Sequence, residues 1–198
     1  MNKKLWFCIV FSLTSLLYSN NFELLFHDYS LNVGEITFEH LGKNYYLSFE
    51  GQLISEDNSF SLPFANHEWF ERVYFSSYKD YILLAFEIHN GDAGYANFYK
   101  IGLSGKILVD LIVGGFNLGI PYLDESSVYF ASIGSIAKVD LEKNKLSWIV
   151  TDLYKKYNAN TPWKIIPEER HIKVTYSSER QVIIIDKDSG SIIDQYYE

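Results

Sequence analysis

The stretch that decides the fold is "SSVYFASIGSIAKVDLEKNKLSWIV", residues 126–150. It contains three short runs rich in β-branched and aromatic residues, at 128–131, 136–140 and 145–150. Gly134 lies between the first two runs, and Asn144, a residue that readily adopts a positive φ, precedes the third. We interpret the stretch as three antiparallel strands joined by two tight turns.

The same three-strand pattern recurs in three other places along the chain. The leading strands begin at intervals of 46, 46 and 44 residues, at Ile36, Ile82, Val128 and Ile172. Each copy has a candidate strand ahead of it, at 22–26, 69–75, 117–123 and 163–166. A period in the mid-forties with about four strands per period is typical of propeller blades, which bury their faces against each other.

We therefore predict an all-β protein, a small β-propeller or propeller-like array of about four antiparallel blades, as a closed ring or an open arc. Residues 21–198 would form this single domain, with repeats at roughly 21–66, 67–112, 113–158 and 159–198. Trp69, Trp148 and Trp163 are expected to pack between blades. A helical turn is predicted at 152–157, in the segment between the third and fourth copies.

One repeat resembles a known family. "VDLEKNKLSW", residues 139–148, is similar to the repeat of quinoprotein-type β-propellers, with Asp140, Lys145 and Trp148 matching and Asn144 standing for the usual glycine. The copy at 185–194 matches at Asp186 and Gly190, and the copy at 102–111 keeps only Gly105-Lys106. The resemblance implies a fold and not an activity.

Enzymes of that family usually have eight blades and hold a pyrroloquinoline cofactor with a metal ion. This chain has about half that number of repeats, no vicinal cysteines and no acidic and amide residues that map onto the site. We therefore carry over no cofactor. The five histidines show no metal-ligand spacing, and no Gly-x-Ser-x-Gly elbow or phosphate-binding glycine loop occurs. We predict no catalytic and no metal-ligating residues.

The N-terminus has the layout of a cleaved signal peptide. Lys3 and Lys4 precede a 13-residue apolar run at 5–17, which is shorter than the about 20 residues that a membrane span needs. A cleaved leader of residues 1–20 predicts a periplasmic or secreted protein without stable membrane insertion. The alternative is a buried N-terminal helix or an uncleaved anchor.

Removal of that leader changes both chemistry and charge. It takes away Cys8, the only cysteine, so the remainder cannot form a disulfide or a thiolate metal site. The formal net charge of the whole chain is −8, and that of the remainder is −10, because the leader holds two lysines and no acidic residue. An acidic chain argues against nucleic acid as a partner and would suit a basic protein.

The second copy carries an apparent insertion at its first hairpin, "EIHNGDAGYAN", residues 87–97. Long loops on a rigid scaffold often carry binding residues. We therefore select His89, Asn90, Asp92 and Tyr95 as candidate partner-binding residues that project from one rim. The alternative is a surface insertion without function.

Three classes of function follow, in this order. The first is an exported, non-catalytic protein that binds another protein through a propeller rim, and its narrower form is an immunity-type inhibitor of a secreted cell-wall hydrolase. The second is a carbohydrate- or peptidoglycan-binding module that stacks aromatic side chains on sugar rings. The third is a small hydrolase or lyase. The sequence leaves the partner, the oligomeric state and ring closure open.

Overall fold

The computed structural model describes residues 22–27, 36–48, 50–64, 69–90, 93–157, 159–176 and 180–198. The predicted signal peptide lies outside these residues. The described part is almost entirely β-structure, with a single short helix α1 at Leu153–Tyr157 where the helical turn was predicted. No described helix combines the length and apolar character needed to span a membrane.

Within the described residues, seventeen strands form four antiparallel sheets, which we number in the order of their hairpins. Sheet 1 contains β2 Ile36–His40, β3 Lys43–Leu47, β4 Gln52–Ser55 and β5 Ser59–Ser61. Sheet 2 contains β1 Glu23–His27, β6 Trp69–Tyr78, β7 Tyr81–Asn90, β8 Ala93–Gly102 and β9 Ile107–Gly115. Sheet 3 contains β10 Tyr122–Asp124, β11 Ser127–Ser132, β12 Ser135–Asp140 and β13 Lys145–Val150. Sheet 4 contains β14 Pro162–Pro167, β15 His171–Tyr176, β16 Gln181–Asp186 and β17 Ile192–Tyr197.

The sheets pack face to face in chain order. One apolar cluster lies between sheets 1 and 2, with Leu47 and Phe86 at its centre. A second lies between sheets 2 and 3 around Phe98 and Phe130, and a third lies between sheets 3 and 4. No cluster of the described residues joins sheet 4 to sheet 1. The all-β fold of about four antiparallel sheets is confirmed, and its described part is a stack with two end sheets.

One strand does not lie where the repeat pattern predicted it. We expected residues 22–26 to begin the first copy, but β1 pairs antiparallel with β6, from Glu23 opposite Phe75 to His27 opposite Arg72. The pairing makes sheet 2 five-stranded and covers the outer edge of β6. Phe22 and Phe26 drive this choice, because their rings are buried in the clusters on the two faces of sheet 2.

The predicted insertion at 87–97 is also different in the structure. Its residues extend β7 and β8 into a long hairpin, in which Glu87 pairs with Ala96 and Asn90 pairs with Ala93. The interpretation of this segment as a loop was therefore wrong. Every second side chain of β7 is buried on one face and the intervening ones on the other, so sheet burial stabilises the longer strands.

Candidate functional site

A β-bulge in β6 assembles a buried polar cluster on the face of sheet 2 that points to sheet 3. Trp69 pairs with His89, and Arg72 pairs with Glu87, but the register shifts between them so that Glu71 is an extra residue. A bulge changes the direction of the extra side chain, so that this side chain no longer follows the regular alternation between the two faces of the sheet. Glu71 therefore joins Arg72, Glu87 and His89, and we call these four residues the His89 cluster.

Glu87 is the centre of the cluster and is fully buried, at 0% exposure. Its carboxylate accepts hydrogen bonds from the Arg72 guanidinium at 2.8 Å and from the backbone N–H groups of Asn117 and Leu118 at 2.7 and 3.1 Å. Asn117 has a φ of +54°, and successive N–H groups around a left-handed residue form a concave anion site. The charge of Glu87 is thus compensated by one guanidinium and two backbone N–H groups.

The same contacts hold the chain where it passes from sheet 2 to sheet 3. The carbonyl of Leu118 accepts a hydrogen bond from the Tyr74 hydroxyl at 2.9 Å, in addition to one from Arg72 at 3.3 Å. Burial raises the pKa of Tyr74 to about 12, so its hydroxyl remains a donor over the physiological range. The cluster therefore has a structural role, which is to fix this crossover.

His89 connects the buried cluster to the surface. Its Nε2 lies 2.8 Å from Glu71 Oε2 and 3.2 Å from Glu87 Oε1, and its side chain is 20% exposed. Its ring stacks on Trp69, with centroids 5.9 Å apart and planes at 17°. On the neighbouring strand a Cβ at Gly94 would come within 3.3 Å of the His89 ring and 2.9 Å of Phe116. Only glycine leaves room for the imidazole there.

An exposed aromatic surface surrounds this histidine. Trp69, which is 45% exposed, stacks on His89, and Phe116, which is 40% exposed, lies next to Gly94. We call Trp69, His89, Gly94 and Phe116 the Trp69 patch. It is held on the rigid strands β6, β7 and β8 and on the segment that follows β9.

The four residues selected from the sequence do not form one surface. His89 belongs to the Trp69 patch, but Tyr95 pairs with Ile88 and packs against the cluster between sheets 1 and 2, on the opposite face of sheet 2. Asn90 ends β7, and Asp92 lies outside the described residues. Their selection as partner-binding residues remains a prediction.

The sequence analysis missed Glu71, Arg72 and Glu87. Glu87 and His89 are separated by one residue, which places both side chains on the same face of a strand, and this spacing was a usable signal. It was lost because the segment was interpreted as a loop. Glu71 carries no such signal, because its direction depends on a bulge that period-two reasoning does not predict.

A second candidate surface lies on sheet 4. A cleft of about 430 Å³ is lined by Trp163, Thr175, Tyr176, Arg180 and Glu198. Behind it the Tyr176 hydroxyl and the Gln181 side-chain amide are buried and have no hydrogen-bond partner among the described residues. Such buried polar atoms without partners are uncommon in native proteins.

Only one of the three tryptophans that we expected between blades is packed there. Trp148 packs between sheets as predicted, with its Nε1 donating to the Lys187 carbonyl of sheet 4 at 3.0 Å. Trp69 and Trp163, which we also expected between blades, are 45% and 72% exposed. Both lie at the start of the first hairpin strand of their sheet.

Comparisons with known proteins bear on the fold. No protein-family model matches this sequence, and no curated protein matches it. Among solved structures, BamB from Moraxella catarrhalis superposes with a TM-score of 0.52 at 11% identity, over 82% of this chain and 51% of that chain. The chain thus spans about half the length of BamB.

Two further solved structures are similar to this chain. The dihydro-heme d1 dehydrogenase NirN in complex with DHE has a TM-score of 0.47 at 10% identity, over 81% of this chain and 37% of that chain. A nidogen/laminin complex has a TM-score of 0.43 at 13% identity, over 85% of this chain and 65% of that chain. The similarity to BamB, a β-propeller protein with quinoprotein-like repeats, shows the fold: this chain is a propeller-like array that resembles the quinoprotein repeat family at the level of fold.

Proposed function

We propose that this chain is an exported, non-catalytic binding protein that uses the rim of sheet 2 to bind another protein. The observation that carries the proposal is the Trp69 patch, where Trp69 is exposed on β6 and Phe116 on the segment after β9, and hydrogen bonds of the buried Glu87 link that segment to sheet 2. Exposed, preorganised tryptophan is typical of the central residues of protein interfaces.

The charge of the chain indicates the kind of partner. The formal net charge is −8 with a sequence pI near 5.1, and the leader predicted at 1–20 contributes only positive charge. A basic protein outside the cytoplasm would approach such a surface faster than a neutral one. Export itself belongs to the proposal and rests on the pattern of the first 20 residues.

The test compares two exposed tryptophans on different sheets. The untagged protein and its Trp69→Ala and Trp163→Ala variants are immobilised, partners are captured from a periplasmic extract, and the affinity of the purified partner is then measured. Trp69→Ala should weaken binding at least tenfold, as expected for a central interface aromatic, and Trp163→Ala should leave it unchanged. Equal affinity of the wild type and Trp69→Ala would exclude the Trp69 patch as the interface.

A narrower form of the proposal is an immunity-type inhibitor of a secreted cell-wall hydrolase. Its support is the small size, the acidic charge and the predicted leader. The test is a hydrolysis assay on peptidoglycan with a hydrolase encoded next to this chain. Inhibition by the wild type and its loss in Trp69→Ala are expected. Full hydrolysis at a saturating concentration of this protein would reject the inhibitor role.

Carbohydrate binding is the second candidate, and exposure of Trp163 favours it. This indole is 72% exposed and borders two clefts, the one of about 430 Å³ described above and one of about 470 Å³ formed with Phe22 and Ile120. Indole faces stack well on sugar rings. Peptidoglycan binding that Trp163→Ala abolishes and Trp69→Ala preserves would support this function over the first, and the reverse pattern would reject it.

A further inference from the structure

The three ligand-type side chains of the His89 cluster converge on one point. One oxygen of Glu71, one oxygen of Glu87 and one imidazole nitrogen of His89 all lie within 4.8 Å of one another. A tetrahedral zinc ion with bonds of about 2.0–2.1 Å holds its ligand atoms about 3.3 Å apart. His89 Nε2 already lies 2.8 and 3.2 Å from the two carboxylate oxygens, which is close to that spacing.

From this geometry we propose that Glu71, Glu87 and His89 form a binding site for a divalent transition-metal ion, with zinc as the best fit. Imidazole nitrogen and carboxylate oxygen are both zinc ligands in proteins, and three protein ligands leave a fourth position open. The partly exposed side of His89 gives access to that position from the Trp69 patch.

A second observation points to a missing positive charge. Glu71 is 4% exposed and directed at His89, yet its Oε1 is buried without a hydrogen-bond partner among the described residues. Arg72 Nη2 lies 3.9 Å from that oxygen, which is within range of an ion pair but too far for a hydrogen bond. A buried carboxylate in this condition is costly, and a bound metal ion removes the cost.

The charges of the cluster agree with this assignment. Glu71 and Glu87 contribute two negative charges and Arg72 one positive charge, so with a neutral His89 the cluster is anionic inside the protein. A bare Nε2 lone pair facing two carboxylates would be repulsive, so either a proton or a metal ion must lie between them. Zinc takes the place of that proton at Nε2, and the neutral imidazole then carries its proton on Nδ1.

The surroundings hold the ligands in place. Glu87 is oriented by Arg72 and by the N–H groups of Asn117 and Leu118, and the His89 ring is fixed between Trp69 and Gly94. Outer hydrogen bonds of this kind orient metal ligands and strengthen binding. Arg72 competes for Glu87, so the site binds a metal more weakly than an all-carboxylate cage.

The experiment measures zinc binding by calorimetry and cobalt binding by visible absorption. It uses the full chain without a histidine tag and with Cys8→Ser, because a thiolate would bind zinc itself. We expect one zinc ion per chain, a higher Tm with zinc and a cobalt spectrum of a tetrahedral site. Glu71→Gln and His89→Gln should each weaken zinc binding at least tenfold.

The matched control is the ion pair of Glu168 with His171 at the surface. It contains one carboxylate and one imidazole, whereas the proposed site contains two carboxylates and one imidazole. Glu168→Gln should leave zinc affinity unchanged, and far-UV circular dichroism verifies that each variant is folded. His89 is partly exposed, so His89→Gln serves if Glu71→Gln does not fold. Absence of zinc binding by the wild type, or binding that survives His89→Gln, overturns the proposal.

Discussion

Gly190 lies directly under the indole of Trp148, and this contact joins sheet 4 to sheet 3. A Cβ at Gly190 would lie 2.8 Å from two atoms of that ring. The same arrangement occurs at the junction of sheets 1 and 2, where a Cβ at Gly105 of sheet 2 would lie 2.7 Å from the ring of Phe60 of sheet 1. At these two junctions an aromatic side chain of the preceding sheet packs on the turn glycine, which explains the glycine in these two copies; the third copy has Asn144 at this turn.

We expect Gly190→Ala to destabilise the protein more than Gly42→Ala. Both glycines have a φ of +73°, but a Cβ at Gly42 meets nothing within 4 Å. Each substitution carries the left-handed penalty of about 1 kcal/mol, and Gly190→Ala adds an overpacking cost of about 1–3 kcal/mol. Urea unfolding midpoints measure the difference. Equal losses in the two variants would contradict the role of the Trp148 contact.

Two aspartates of the repeat form local hydrogen bonds of a kind that can be recognised from sequence. Asp140 and Asp186 end equivalent strands, and each Oδ1 accepts backbone N–H groups of the turn that follows. These hydrogen bonds lower the pKa of both carboxyls. Asn144 occupies the left-handed turn position at φ +53°, as its residue type predicted. Such local features are readable because the interacting groups are neighbours in sequence.

At the scale of elements, the bulge in β6 and the crossover after β9 depend on each other. The bulge brings Arg72 to Glu87, and Glu87 holds the N–H groups of Asn117 and Leu118. Leu118 in turn is buried in the cluster between sheets 2 and 3. One buried carboxylate therefore couples the twist of a strand to the position of the next sheet.

Glu87→Ala is expected to lower the free energy of unfolding by about 3–5 kcal/mol, because it leaves Arg72 and two N–H groups without their partner in a buried place. The control is Glu142→Ala. Glu142 forms an exposed pair with Lys79, with 61% and 63% of the two side chains accessible, so its loss should cost less than about 1 kcal/mol. Chemical denaturation of both variants measures this contrast. Similar losses of stability in the two variants would contradict the role of Glu87 in fixing the crossover.

The site could be predicted from the sequence only in part. His89 was selected, but for a loop that is in fact the end of two paired strands. Its partner Glu71 comes from a different strand through a bulge, and Asn117 from a crossover 30 residues after Glu87. Contacts between residues so far apart depend on packing of whole sheets, which a single sequence does not encode in its local pattern.

At the scale of the whole molecule, the repeat period predicts the arrangement of strands into sheets, with one exception among the described strands. A spacing of 46, 46 and 44 residues predicted four similar sheets, and the structure contains them. The exception is β1, which joins sheet 2 because both faces of that sheet offer apolar clusters to Phe22 and Phe26. The period could not predict this choice, because pairing of a single short strand depends on which edge is free and apolar.

The stack of sheets predicts an order of local stability that hydrogen exchange can measure. Sheets 2 and 3 are covered on both faces by apolar clusters, whereas sheets 1 and 4 each have one cluster of described residues. Opening should require the highest free energy at the backbone amides of β7 and β8. It should require the lowest at those of β17, which is a largely exposed edge strand. Exchange followed by mass spectrometry should show protection factors at least a hundredfold higher for Ile82–Ile88 than for Ile192–Tyr197. Comparable protection of β17 would mean that another surface covers sheet 4, and the molecule would then be a closed assembly instead of a stack with two free ends.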